Sequence, residues 1–331
     1  MQIDMSYGSG GKQTSDLIQE VFLDAFHNKI LDRMEDAAVL EVKGKIAYTT
    51  DSFVVTPMFF PGGDIGKLAV CGTVNDLSVM GAVPKYLTAG FILEEGVSLE
   101  TLKRVTASMA KAAKEAKVQI VAGDTKVVEG RGGIYINTSG IGEVIKSGIS
   151  ISNCRAGDLV LLSGNLGEHH AAILSSRMGI ENSIHSDCAP LNSMVLKLLE
   201  EEIDIHCMRD VTRGGLATVL NEAAEKSGCR IQLTEEALPV SKEVKGFCDI
   251  LGLDPLYMAN EGKLLAVIPE KQAERALNIM KASRYGKNAA VIGRVTEGLS
   301  EKQTRGVVMT TALKGTRRID VLYGEGLPRI C

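Results

Sequence analysis

A polar stretch without helical period, IKSGISISNCRAGD at 145–158, divides this chain of 331 residues into two halves. Apolar runs of strand and helix length recur on either side of it, so each half carries the material for its own core. A chain of this length exceeds one ordinary core and suits two domains of about 150 residues each. The expected division is a first domain over 1–150, a second over 151–321 and a tail over 322–331.

In the first half a helical pattern at 14–27 precedes AAVLEV and KIAYTTDSFVV, which read as two strands paired across a turn at Gly44. A helix over 65–80, the strand-like KYLTAGFIL, a long helix over 99–116 and the strands VQIVAGDT and GIYINTSGIGEV follow. Strands outnumber helices, and their order predicts an α+β arrangement rather than simple parallel alternation. In the second half DLVLLSG, KLLAVIP, AAVIGRV and GVVMTT read as strands, with helices near 166–178, 191–201 and 271–283. A further helix in TRGGLATVLNEAAEKSG is expected to be capped by Thr212 and ended by Gly228.

Charge narrows the function classes. The 37 basic residues are offset by 41 acidic ones, net −4, with no dense basic run, which argues against a nucleic-acid surface. The start carries no leader-like pattern and no apolar run is long enough to span a bilayer, so a cytoplasmic protein is expected. Seven widely spaced cysteines without a C-x-x-C pair argue against a disulfide framework or a zinc ribbon. Neither G-x-S-x-G nor G-x-G-x-x-G is present.

Several clusters can carry chemistry. In YGSGGKQTSDLI, Gly8, Gly10 and Gly11 can bring backbone N–H groups to an anion while Lys12 adds a positive charge at a helix start. Glu35 and Asp36, Asp51, Asn75 and Asp76, and Asp124 each stand beside a predicted strand end or turn. Oxygen ligands arriving from several strand ends suit Mg2+ on ATP phosphates; solvated loop acids are the alternative. MRDVTRGG, with Arg209, Asp210, Thr212 and Arg213, and MANEGK, with Asn260, Glu261 and Lys263, suit either an anion site or ordered ion pairs. His169 and His170, adjacent and without a third ligand at metal spacing, read as surface or interface histidines. The chain closes on GEGLPRIC, an extended finger stiffened by Pro328 that offers the Cys331 thiol.

The ordered set GSGGK, EDAAVL, TTDSFVV, GTVNDLSVMGA, AGDTKVV, RDVTRGG and NEG resembles the ATP-binding superfamily of aminoimidazole ribonucleotide synthetase, selenophosphate synthetase and thiamine-monophosphate kinase. With the closing PRIC it is similar, within that superfamily, to the carbamoyl dehydratases of nickel–iron hydrogenase maturation. The resemblance implies a two-domain, PurM-like architecture and a homodimer joined through the N-terminal sheets. It implies ATP and Mg2+ as cofactors, the carbamoyltransferase HypF and an iron-carrying HypC–HypD complex as partners, and Cys331 as the thiol that carries the carbamoyl group. Asp36, Asp51, Asp76 and Asp124 would hold Mg2+, with Gly10, Gly11, Lys12 and Asn75 completing the nucleotide site. Glu261 would be the base, and Lys126 would steady developing charge. Relatives often carry paired aspartates where this chain has Glu35 and Asp36. A selenophosphate synthetase-like enzyme acting on a free small molecule, or a nucleotide-regulated scaffold, are the alternatives. The first cysteine is Cys71, which removes the early reactive cysteine the former needs.

Overall fold

The computed structural model describes residues 2–8, 12–34, 37–298, 306–321 and 327–331. Gly10, Gly11, Glu35 and Asp36 lie outside the described residues.

The first domain opens with one helical run made of α1 (Lys12–Leu17), a π-helical stretch (Ile18–Leu23) and α2 (Asp24–Phe26). Leu17, Val21, Phe22 and Phe26 recur at helical spacing and form its buried face. Next come β1 (Ile46–Phe53), the short pair β2 (Phe59–Phe60) and β3 (Gly63–Asp64), and α3 (Ile65–Val79). The domain closes with β4 (Ala82–Glu94), α4 (Leu99–Ala116), β5 (Gln119–Val128) and β6 (Ile134–Val144). The sheet has the order β1-β6-β4-β5, parallel only between β4 and β5.

Alternation along the strands separates two sheet faces. Asp51, Thr138, Ala89 and Gly123 share a row on the side covered by α3, whereas Ser52, Asn137, Gly90 and Asp124 share one on the other. α3 is buried on nearly every side because it is wedged between this sheet and the second domain. Its polar residues Thr73, Asn75 and Ser78 are buried with it, and each has a hydrogen-bond partner. α4 turns a single apolar face inward, and the Ser98 side chain caps its start by accepting from Thr101 N–H at 3.0 Å.

AAVLEV does not form the predicted partner of β1. Residues 37–42 are irregular and Val39 is 81% exposed; β1 pairs instead with β6, from Ile46 opposite Glu143 to Phe53 opposite Ile136. A local apolar run names a strand but not a partner some 90 residues away.

The second domain runs β7 (Asp158–Leu162), α5 (Glu168–Met178), α6 (Asn192–Glu200), β8 (Cys207–Asp210), α7 (Gly215–Ser227), β9 (Arg230–Thr234), α8 (Lys242–Leu251), β10 (Leu264–Pro269), α9 (Glu270–Ala282), β11 (Ala290–Thr296), β12 (Gly306–Thr310) and β13 (Thr316–Ile319). Its sheet is ordered β13-β12-β9-β11-β7-β10-β8. β7 and β10 are interior strands with cores on both sides, which is why DLVLL and LLAVI read as continuous apolar runs. α7 ends on Gly228 in the left-handed region, but its N-cap is Gly214 and not the predicted Thr212, and no side chain caps it. Among the described residues no helix is long and apolar enough to cross a membrane.

Candidate active site

The domains meet around an acidic cluster. Asp51 projects from the helix-covered face of β1 and Asp76 from α3; Thr73 Oγ1 donates to Asp51 Oδ2 at 3.0 Å, and Thr49 Oγ1 to Asp76 Oδ2 at 2.9 Å. Asp210, at the end of β8, arrives from the second domain. Burial and then the Asp51 charge push Asp76 up to about 6, while burial and then Asp76 push Asp210 up to about 7. Asp51 is also raised, chiefly by burial. Three carboxylates gathered against mutual repulsion make a site short of positive charge.

Above the cluster sits the loop 259–263. Asn260 Oδ1 accepts from Gly167 N–H at 2.8 Å and its Nδ2 donates to Met258 O. Asp187, buried in a loop without any sequence motif, accepts from the backbone N–H groups of Glu261 and Gly262 and pairs with Lys263 at 3.0 Å. Burial opposes the Asp187 charge, but the Lys263 charge foremost, with the hydrogen bonds from Lys263 and Glu261 N–H, holds the carboxyl below its ordinary range. A side chain at Gly262 would meet Asp187 O at 1.9 Å, so only glycine lets the two loops pack this closely. These bonds mount Glu261, which is buried and whose Oε1 has no hydrogen-bond partner among the described residues. Burial, with Cys188, Asp187 and Asp210 adding to it, pushes the Glu261 carboxyl well above its ordinary value. Arg213 acts in the opposite sense on Glu261, Asp51 and Cys331.

Cys331 lies beside Glu261. Burial first, and Glu261 second, push its thiol up to about 12. The last five residues are not a free finger: Ile330 is only 3% exposed and belongs to the core of the first domain. Val54 N–H donates to Cys331 O and Thr56 N–H to Arg329 O, both at 3.0 Å, while Arg177 Nη2 donates to Arg329 O at 2.6 Å. His169 is fully buried, with Ser186 Oγ at 2.7 Å from Nδ1 and Ile330 O at 2.8 Å from Nε2. His170 is half-buried, accepts from Ala259 N–H, and is pushed down to about 4, mainly by burial. Of the two readings, surface or interface, the surface one is corrected: α5 packs against β2 and the tail, and its first turn faces inward. Beside the tail a cleft of about 970 Å³ opens, lined by Arg213, Gly214, Thr218, Tyr257 and Cys331. The uncapped start of α7 faces it.

Other predicted site residues are placed elsewhere. Asp124 and Lys126 pair with each other at 2.8 Å on the open face of the sheet, opposite to Asp51. The Lys126 hydrogen bond is the main cause that holds Asp124 below its ordinary value. The Asn75 amide ties α3 to the second domain, donating to Ala189 O at 3.0 Å and accepting from Leu191 N–H at 2.8 Å. Lys12 begins α1 and is exposed. Among the described residues no group of three or more His, Cys, Asp or Glu side chains is arranged to hold a metal ion.

Residues 34–144 match the family "AIR synthase related protein, N-terminal domain" and 155–304 the corresponding C-terminal domain. The chain is 49% identical over 336 residues to carbamoyl dehydratase HypE of Azotobacter vinelandii, covering 99% of this chain and 97% of that protein. The crystal structure of the hydrogenase maturation protein HypE in complex with ATP superposes with a TM-score of 0.95 at 50% identity, covering 99% of both chains. A HypE chain from a HypE–HypF complex superposes with a TM-score of 0.79 at 50% identity, covering 92% of this chain and 99% of that one.

Proposed function

The chain belongs to the HypE family of carbamoyl dehydratases, and from that premise we propose that it dehydrates an S-carbamoyl group on its own Cys331 to a thiocyanate at the expense of ATP. The observation that carries this reading is the seating of the Cys331 thiol against Glu261 beside the acidic cluster. The residue seated beside the general base is thus one of the chain's own thiols, as a carrier reading requires.

An amide oxygen is a poor leaving group, so it must be activated before water can be lost. The carbamoyl oxygen attacks the γ-phosphorus of ATP, a C–O–P linkage forms, and ADP leaves as the β,γ bridging bond breaks. Loss of one proton from nitrogen gives the O-phosphorylated imidate. Loss of the second, with cleavage of the C–O bond, gives S–C≡N and phosphate. Glu261 takes one of these protons and the departing phosphate carries the other: its raised pKa makes it a strong base once ionised, and a cation beside Asp210 would remove one of the causes that raise it. Arg213 and the uncapped N–H groups of α7 suit the transferring phosphoryl group.

Asp51, Asp76 and Asp210 would hold Mg2+: Asp51 raises Asp76 and both raise Asp210, and carboxylates this crowded suit a hard divalent cation. Its contribution would be to neutralise charge on the triphosphate. Asp36, Gly10, Gly11 and Lys12 remain assigned to nucleotide binding. Asp124 and Lys126, on the face opposite to Asp51, would act from a second copy. That face exposes Tyr48, Ile46 and Ile92, which supports a homodimer joined through it. The carbamoyltransferase HypF as donor, a HypC–HypD complex as cyanide acceptor and a cytoplasmic setting complete the proposal.

The test is intact mass after incubation with carbamoyl phosphate, ATP, Mg2+ and the carbamoyltransferase. A gain of one carbamoyl group followed by loss of one water, both mapped to Cys331, is expected. ATP hydrolysis with Cys331 unchanged would overturn the reading.

A further inference from the structure

We propose that His169 is a positioning residue which latches the tail in its docked state by donating from Nε2 to the carbonyl of Ile330, and so sets how the protein divides its time between loading and dehydration. The proposal deepens the reading of Cys331 as carrier and rests on it.

The geometry defines one hydrogen-bonding arrangement. Ile330 O can only accept, so Nε2 carries the proton; Nδ1 is then an acceptor for the Ser186 hydroxyl. Ser186 Oγ in turn accepts from Cys188 N–H at 3.1 Å, and Ser186 N–H is anchored on Pro61 O. The edge of the ring meets Phe60, with centroids 5.4 Å apart and planes at 85°. The imidazole is thus held from three sides and has one polar atom left to spend, which it gives to the tail. Burial, its largest influence, keeps the ring neutral and preserves that tautomer.

Docking must be reversible. A thiol pushed up to about 12 and only partly exposed beside Glu261 is not ionised where it lies, so loading by a second protein requires the tail to leave. Dehydration requires it to return. The last three carbonyls are each held: Arg329 O by Thr56 N–H and Arg177, Ile330 O by His169, Cys331 O by Val54 N–H. The Ile330 carbonyl alone depends on a buried side chain with no other task toward the tail, so its loss shifts the balance without dismantling the groove.

Alkylation of Cys331, mapped to its peptide by mass, reads tail release without reference to any reaction. His169→Leu is expected to speed labelling about five- to tenfold, the worth of a buried hydrogen bond, and His169→Gln, which keeps a donor near Nε2, to return it to within about twofold. In the HypF-dependent assay the Leu variant should load at least as fast as the parent yet dehydrate about five- to tenfold more slowly after loading. Equal labelling of all three proteins overturns the latch, as does a parallel fall in both half-reactions, which would mark mere structural damage. Faster labelling of the Leu variant in a protein that loads no carbamoyl group upholds the latch and overturns the carrier reading. A Cys331→Ser protein serves as the blank, since Cys229 is also half-exposed.

Discussion

At the scale of single residues, the site is governed by charges that burial makes expensive. Asp210 is the clearest case: its folded value of about 7 lies above the roughly 3.9 of an unfolded aspartate. Between those values the folded state holds the extra proton, so its stabilising effect is complete below pH 4 and is lost as pH rises through 7. Asp210→Asn should therefore melt higher than the parent at pH 8 without metal or nucleotide, and the gain should vanish near pH 4. Adding Mg2+ and ATP should reverse the order at pH 8, because the variant has lost a cation partner. Asp76→Asn is expected to accept a carbamoyl group at close to the parental rate but to dehydrate it about 10- to 100-fold more slowly, read by intact mass. Cys331→Ala should lose loading altogether while still binding ATP, as calorimetry would show. Much at this scale was legible. Asp51, Asp76, Glu261 and Cys331 stand in short dense polar strings, and the structure brings them together. Asp187 and His169 were not, because their roles depend on a loop and a tail that meet only in three dimensions.

At the scale of elements, legibility followed local pattern. α4 has a Ser cap, a run of strong helix formers and a one-sided apolar stripe, and its predicted span of 99–116 matches Leu99–Ala116. Ser98→Ala should cost about 1 kcal/mol, lowering the melting midpoint of the first domain by roughly 3 °C. β13 went unread because three of its four residues are exposed, leaving no alternation to detect. β8 was masked by chemistry: CMRD carries the site's own charged residues. The cap of α7 fell to Gly214 for a steric reason. Gly215 has φ +66°, and a side chain there would meet Leu256 O at 2.5 Å, so the turn admits glycine only and leaves the helix start open to the cleft.

At the scale of the whole molecule, α3 joins the domains. It carries Asp76 toward Asp210 and, through Asn75, grips the loop at 189–191, so the acidic cluster exists only when both domains are folded against each other. The open sheet face would extend this logic to the second copy proposed above. Tyr48, 67% exposed on the edge strand β1, is the largest apolar side chain the face presents, and a charge there should be poorly tolerated. Tyr48→Glu is expected to shift the protein toward monomer in light scattering and to slow dehydration through loss of the partner's Lys126, with loading retained. The main-chain grip on the tail has a kinetic meaning too. Three carbonyls and one isoleucine hold it, so docking is indifferent to what the sulfur carries, and the reactant is tethered at a local concentration fixed by the fold. Dehydration of loaded protein should accordingly be first order and unaffected by dilution as long as the assembly persists, so no Michaelis constant for the carbamoyl substrate exists to be measured.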